Sequence, residues 1–158
     1  MRVYADSSFI LRMVTAEVES PATIAQYRSL GHPSLFFLPL HALEVRNAIL
    51  TRAFFQRRSL ASGDRRHVVR ERDAALSRLD RLLARRVLLD VTADMEEVIA
   101  QAGKLSSAHS ERLGVRAIDL LHVAAALNLE CELFLTTDAR QSRLAKAVGI
   151  DVIPITGS

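Results

Sequence analysis

Short apolar runs alternate with helical stretches along almost the whole chain, and this alternation restricts the fold more than any other feature. RVYAD (residues 2–6), SLFFLP (34–39), VLLDV (87–91), LFLTTD (133–138) and DVIPI (151–155) read as strands. Between them SSFILRMVTA (7–16) places Phe9, Ile10, Met13 and Val14 on one helical side, and PATIAQYRSLG (21–31) opens on Pro21 and closes at Gly31. A further helix runs from Leu40 to about Gln56; after a break at SLASGD (59–64), an arginine-rich helix over 62–85 follows. Thr92 or Asp94 can cap the next helix and Gly114 ends it. RAIDLLHVAAALNL (116–129) is helical and apolar on almost every side, and the helix from Ala139 terminates at Gly149. Strands joined through helices need crossover connections. The expected fold is therefore α/β: a single domain over 1–158, with a central parallel sheet of four to five strands and helices on both faces. Ligands of such sheets bind beyond the carboxyl ends of the strands.

The chain has 158 residues, 49% of them hydrophobic, with no linker, low-complexity tract or repeat to divide them, so one folding unit is expected. No leader-like segment and no apolar run near the roughly 20 residues of a membrane span is present, which predicts a cytoplasmic protein. Cys131 is the only cysteine; it excludes an internal disulfide and reads as a small core hydrophobe. The net charge of +3 is mostly arginine, since lysine occurs only at 104 and 146. Arginine suits phosphate because its planar fork grips two oxygens, but a surplus of this size does not by itself identify a nucleic-acid partner.

Four acids stand in costly places. Asp6 and Asp138 close the first and fourth strands, so a parallel sheet sends both to one rim, although each alone would serve as a helix N-cap. Glu44 sits among Leu40, Leu43, Ala48 and Ile49, and Asp119 among Ile118, Leu120, Leu121 and Val123. A buried carboxylate without a partner costs several kcal/mol, comparable to much of a domain's stability. Arg46 and Arg116 could supply guanidinium partners. A divalent cation among Asp6, Glu44, Asp119 and Asp138 would answer all four placements at once, and oxygen ligands point to magnesium or manganese rather than zinc. His32, His41, His67 and His109 show no ligand spacing and read as surface or packing residues. His122, one turn after Asp119, shares its helix face and is either a pocket residue or a satisfied core histidine.

The stretches YADSSFIL, LEVRNAIL, RAIDLLHVAAAL and LFLTTDARQ, with VGIDVIPI behind them, resemble a PIN domain, and most closely the VapC-type toxins of bacterial type II toxin–antitoxin pairs. The resemblance implies that Asp6, Glu44, Asp119 and Asp138 form an acidic pocket binding Mg2+, with Mn2+ as a possible substitute, for cleaving RNA. Ser8 and Thr136 match small hydroxyl positions lining that pocket, Asn47 matches the usual residue three after the second acid, and Arg116 and His122 are expected beside it. Asp6 and Asp119 are expected as the innermost ligands, with Glu44 and Asp138 acting through water. A cognate antitoxin that pushes a basic side chain among the carboxylates, and a homodimer, are also implied. The chain departs from the family where an aromatic often follows the fourth acid, since ARQSRL offers none, which bears on substrate choice. The helix over 62–85 reads as a solvated face or as a groove wall for RNA phosphates, and its Leu76, Leu79, Leu82 and Leu83 as a stripe for the core or for a partner. Rival readings are an inactive module that holds a basic tail, a housekeeping RNA-processing PIN nuclease, and a receiver-like phosphoacceptor. The last fits poorly, because Asp6 lacks an acidic neighbour and no lysine precedes the last strand in the needed position.

Overall fold

The strand nearest the N-terminus lies at the centre of the sheet, and its neighbours fix the position of every other element. The computed structural model describes residues 1–59 and 65–153. In chain order the elements are β1 (Val3–Ala5), α1 (Ser7–Val14), α2 (Ser20–Ser29), β2 (Leu35–Phe37), α3 (Pro39–Ser59), α4 (Arg65–Ala84), β3 (Leu88–Asp90), α5 (Met95–Leu113), α6 (Ala117–Asn128), β4 (Leu133–Leu135), α7 (Ala139–Ala147) and β5 (Asp151–Val152). The five strands are ordered β3-β2-β1-β4-β5 and all neighbours are parallel, with Val3 opposite Leu35 on one side and Leu133 on the other. The predicted parallel α/β architecture is the observed one.

Alternation along each strand divides the core in two. Val3, Ala5, Leu35, Phe37, Leu133 and Leu135 face a cluster built with Phe9, Ile10 and Val14 of α1, Val45 and Ile49 of α3, and Leu79 of α4. Tyr4 and Phe134 face the other way, against Val98 and Leu105 of α5, Leu120 and Val123 of α6, and Leu144 of α7. Each fully buried large apolar side chain contributes about 1.5–3 kcal/mol relative to exposure, so both layers are strongly held. The stripe on α4 packs internally: Leu79 is buried and Leu76, Leu82 and Leu83 are partly buried against the first cluster. Cys131 is buried, and burial pushes its thiol up to about 12, which leaves it unreactive as expected.

The strands are shorter than the apolar runs because polar residues at their ends turn away to start helices. The expected strand 133–138 stops at Leu135; Thr136 then accepts a hydrogen bond from the Asp138 N–H, and Asp138 caps α7. Asp94, not Thr92, caps α5, and Gly114 ends that helix in the left-handed conformation at φ 62°. Residues 60–64 of the expected break, the first residues of the expected helix from 62, and Pro154 and Ile155 of the last expected strand lie outside the described residues. Among the described residues no helix is long and apolar enough to cross a membrane.

The order of the strands reverses between β1 and β4. From there the chain leaves β1 into α1 on one face and β4 into α7 on the other, the place where sheets of this kind bind their ligands. The Asp6 N–H donates to the Leu135 carbonyl at 2.9 Å, so the first acid is fixed to the end of the neighbouring strand.

Candidate active site

Asp6 follows β1 directly and caps α1, so the cap reading of this acid holds. It is also more than a cap. Its Oδ1 accepts from the Phe9 N–H at 2.9 Å and from Ser8 Oγ at 2.7 Å, while Oδ2 accepts from Thr136 Oγ1 at 2.7 Å. The residue is almost wholly buried, and among the described residues no arginine or lysine pairs with it. Burial raises its carboxyl above the usual range, and His122, Thr136, Phe9 and Ser8 only partly oppose that. Ser8 and Thr136, the two hydroxyl residues singled out from the sequence, both donate to Asp6.

Asp119 lies in the first turn of α6 and is fully buried, as its apolar neighbours predict. Its Oδ2 accepts the Arg116 backbone N–H at 2.9 Å and Arg116 Nε at 3.2 Å; Oδ1 accepts Arg116 Nη2 at 3.2 Å and Gln141 Nε2 at 3.0 Å. Burial pushes this carboxyl up, and the Arg116 and Gln141 hydrogen bonds outweigh it, holding it below its ordinary value. The same guanidinium reaches Asp138 Oδ2 at 3.5 Å. Asp138 caps α7 through Oδ1, which accepts the Arg140 N–H at 2.7 Å and the Gln141 N–H at 3.3 Å. Arg116 is therefore a cation shared by two acids, and it is 59% exposed.

Glu44 is less buried than its sequence neighbours suggest, with 27% of its side chain exposed. Apolar residues one position away on a helix point about 100° aside, and Leu43 turns out to face solvent. Arg46 does not pair with it; that guanidinium holds Asp80 of α4 at 2.7 Å. Instead Glu44 Oε2 accepts from Ser7 Oγ at 2.8 Å and meets His122 Nε2 at 2.5 Å. Burial raises this carboxyl and the His122 and Ser7 contacts more than compensate, so it lies below its ordinary value despite the nearby Asp119 charge. His122 is buried, and its other ring nitrogen, Nδ1, lies 2.9 Å from Tyr4 Oη. Asn47 is exposed, and among the described residues no hydrogen bond joins it to this group. His41, read from the sequence as a surface or packing residue, is buried and packs, binding the Leu38 N–H and the Ala5 carbonyl.

Three of the acids, Asp6, Asp119 and Asp138, are thus linked, while Glu44 is held apart from them by Ser7 and His122. Thr136 joins Asp6 to Asp138, Gln141 and Arg116 join Asp138 to Asp119, and His122 ties Glu44 into the sheet beneath. They do not form a closed cage: among the described residues no three Asp, Glu, His or Cys groups are gathered so as to hold an ion. Of the two guanidinium partners offered by the sequence, Arg116 takes that role and pairs with two of the acids, Asp119 and Asp138. The donor set nevertheless fits a hard divalent cation, being all carboxylate and hydroxyl oxygen, and Arg116 stands in for the positive charge such a set requires. Tyr4, Ser7 and Gln141 were not singled out from the sequence. Gln141 carried one signal, its position three residues after the Asp138 cap.

A family model described as PIN domain matches residues 3–147. No curated protein matches the chain by sequence. Among solved structures, FitAcB from Neisseria gonorrhoeae aligns over 96% of each chain with a TM-score of 0.61 and 18% identity. VapBC2 from Rickettsia felis, bound to a DNA fragment from its promoter, aligns over 98% of each chain with a TM-score of 0.62 and 13% identity. FitAB bound to an IR36 DNA fragment aligns over 99% of this chain and 96% of that one, with a TM-score of 0.62 and 17% identity. At these identities the structural likeness speaks for the fold. The family match adds to it, because its span begins with the central strand and ends with the helix that Asp138 caps, taking in all four acids: this chain belongs to the PIN domain family.

Proposed function

We propose that this chain is a metal-dependent endoribonuclease of the VapC toxin type, hydrolysing RNA phosphodiester bonds at the pocket of Asp6, Glu44, Asp119 and Asp138. PIN domains are as a family nucleases, which supports hydrolysis in general terms. The observation that carries the finer reading is the single network of hydrogen bonds and ion pairs that joins acids from separate segments at the carboxyl ends of the strands. Mg2+, with Mn2+ as a substitute, would be held innermost by Asp6 and Asp119, and by Glu44 and Asp138 at longer range. When bound, such an ion makes a coordinated water more acidic and offsets the charge that grows on phosphoryl and leaving oxygens.

The chain's own residues do the rest. Ser8 and Thr136 hold the Asp6 carboxylate at a fixed angle, and Gln141 does the same for Asp119. Arg116, half exposed, is the group able to exchange its acids for an incoming RNA phosphate, which its planar fork suits. Cleavage of single-stranded and structured RNA by purified protein, with magnesium and with chelator, tests the reading. Asp6→Asn and Asp119→Asn are expected to abolish cutting; retained cleavage by either would sink the mechanism.

The partners follow the same reading. Two of the neighbours, VapBC2 and FitAB, are named as bound to DNA fragments, and with the VapC-type reading we extend an antitoxin partner to this chain. A hollow of about 290 Å3 between α3, α4 and the residues that follow α1 would suit it, with Ile49, Ala53 and Ala75 as an apolar floor and Arg52, Arg70 and Arg78 around them. Leu43, Leu50 and Phe54, exposed along α3, offer a face for a homodimer. A second reading, an inactive binding module, is favoured by the seated Arg116 and the open arrangement of the acids. Metal binding without turnover on any RNA would select it over the nuclease, and a housekeeping processing role would show as cleavage confined to one RNA class without growth arrest.

A further inference from the structure

We propose that Tyr4 and His122 act as a buried positioning pair that fixes the Glu44 carboxylate at the pocket. Tyr4 is fully buried in the central strand, stacked on Phe134 with centroids 5.3 Å apart and set edge-on to the His122 ring at 5.8 Å. Its hydroxyl meets His122 Nδ1 at 2.9 Å, and the opposite ring nitrogen meets Glu44 Oε2 at 2.5 Å. The three residues come from β1, α6 and α3, so the contact crosses the sheet from one helical layer toward the other.

The hydrogen-bond roles follow from which groups hold protons. A carboxylate only accepts, so the Nε2 that faces Glu44 Oε2 is the nitrogen that carries a proton, and the Tyr4 hydroxyl is the group that can donate to the other one. Nδ1 is then the acceptor, and the ring proton sits on Nε2, aimed at Glu44. Ser7 Oγ donates to the same carboxylate oxygen at 2.8 Å, so two donors converge on Oε2 and fix the rotamer. The neighbouring His41 is locked differently, accepting the Leu38 N–H on Nδ1 and donating from Nε2 to the Ala5 carbonyl, and so does not compete for Glu44.

The role in positioning rests on the nuclease reading; the proton arrangement does not. Long-range 1H–15N spectra of the histidine rings are expected to show His122 protonated at Nε2 and not at Nδ1, and Tyr4→Phe is expected to remove that preference. Because Tyr4→Phe keeps the stacked ring, it should fold. It is expected to lower Mn2+ affinity, read by calorimetry, or kcat, with KM for RNA unchanged, by about 10–100-fold, the usual effect of losing a group that orients a metal ligand. His122→Leu should lose at least as much, and His122→Gln, whose amide can offer an N–H near the Nε2 position, should recover part of it. An Nδ1-protonated ring, or wild-type Mn2+ affinity and kcat in both Tyr4→Phe and His122→Leu, would overturn the proposal. If the wild-type chain cuts no RNA, the nuclease reading fails by itself, and the ring spectra with the Mn2+ titrations still decide whether the pair positions Glu44.

Discussion

Replacing Arg116 by alanine should weaken the fold slightly while tightening divalent-metal binding, two effects of opposite sign from one side chain. The backbone N–H of residue 116 still donates to Asp119 at 2.9 Å and Gln141 still donates at 3.0 Å, so the start of α6 survives. What is lost is a guanidinium at 3.2 Å from Asp119 and 3.5 Å from Asp138. Since Arg116 is 59% exposed, water screens the pair, and the stability loss should be about 1 kcal/mol or less, a fall in Tm of roughly 2–4 °C. For a divalent ion the guanidinium is a competitor. A doubly charged ion roughly 5 Å from a unit positive charge in a water-like dielectric is repelled by about 1.7 kcal/mol, so its removal should raise affinity roughly 15–20-fold. Calorimetric titration with Mn2+, alongside thermal melts of the same samples, measures both. Unchanged or weaker Mn2+ binding by Arg116→Ala would refute the idea that the guanidinium stands in the ion's place.

The pH dependence of two further variants should differ in sign. The Asp6 carboxyl is raised in the fold, so its favourable contribution is present below the ordinary value of 3.8 and is lost as pH rises through the raised one. The melting temperature of Asp6→Asn relative to wild type should therefore increase from pH 4 to pH 7, and a decrease would contradict the burial account. Glu44 is lowered, so its contribution is present above 4.5 and is lost as pH falls through the folded value. Glu44→Gln should thus be less stable than wild type at pH 7, by on the order of 1 kcal/mol for a partly exposed group, with the gap closing in acid. Leu50→Asp with Phe54→Asp should leave the melt unchanged, both side chains being exposed, and should convert any dimer to monomer in analytical ultracentrifugation.

The sheet was legible because each strand is an apolar run of its own, and the rim was legible because Asp6 and Asp138 end two of them. The environment of the acids was not. Glu44 was expected among apolar neighbours, but adjacent residues on a helix diverge, and its real surroundings come from Ser7, 37 positions away, and His122, 78 positions away. Sequence distance hides such partners, and only the β1-β4 pairing and the packing of α6 bring them together. Arg116 was legible as a partner for Asp119 by its spacing of three along one helix start, whereas its reach to Asp138 depends on where α7 begins. Strand ends were misplaced for a related reason: an acid after an apolar run reads as strand, but its carboxylate does better accepting the free N–H groups of the helix that follows.

Asp6 and Asp138 are the N-caps of α1 and α7, and Asp119 accepts the N-cap N–H of α6, so three of the four acids also begin three helices. The aligned backbone N–H groups there favour negative charge, which lets several carboxylates share one rim at lower electrostatic cost. Capping and charge can be separated at Asp138, where Oδ1 takes both capping bonds, from Arg140 at 2.7 Å and Gln141 at 3.3 Å. Asparagine keeps an oxygen in that place and alanine does not. Asp138→Ala should therefore melt below Asp138→Asn by the equivalent of about 1 kcal/mol, the usual worth of a cap, while both lose RNA cleavage alike. Equal stability of the two variants would remove the capping role, and full cleavage by Asp138→Asn would show that the charge at this position serves the fold alone.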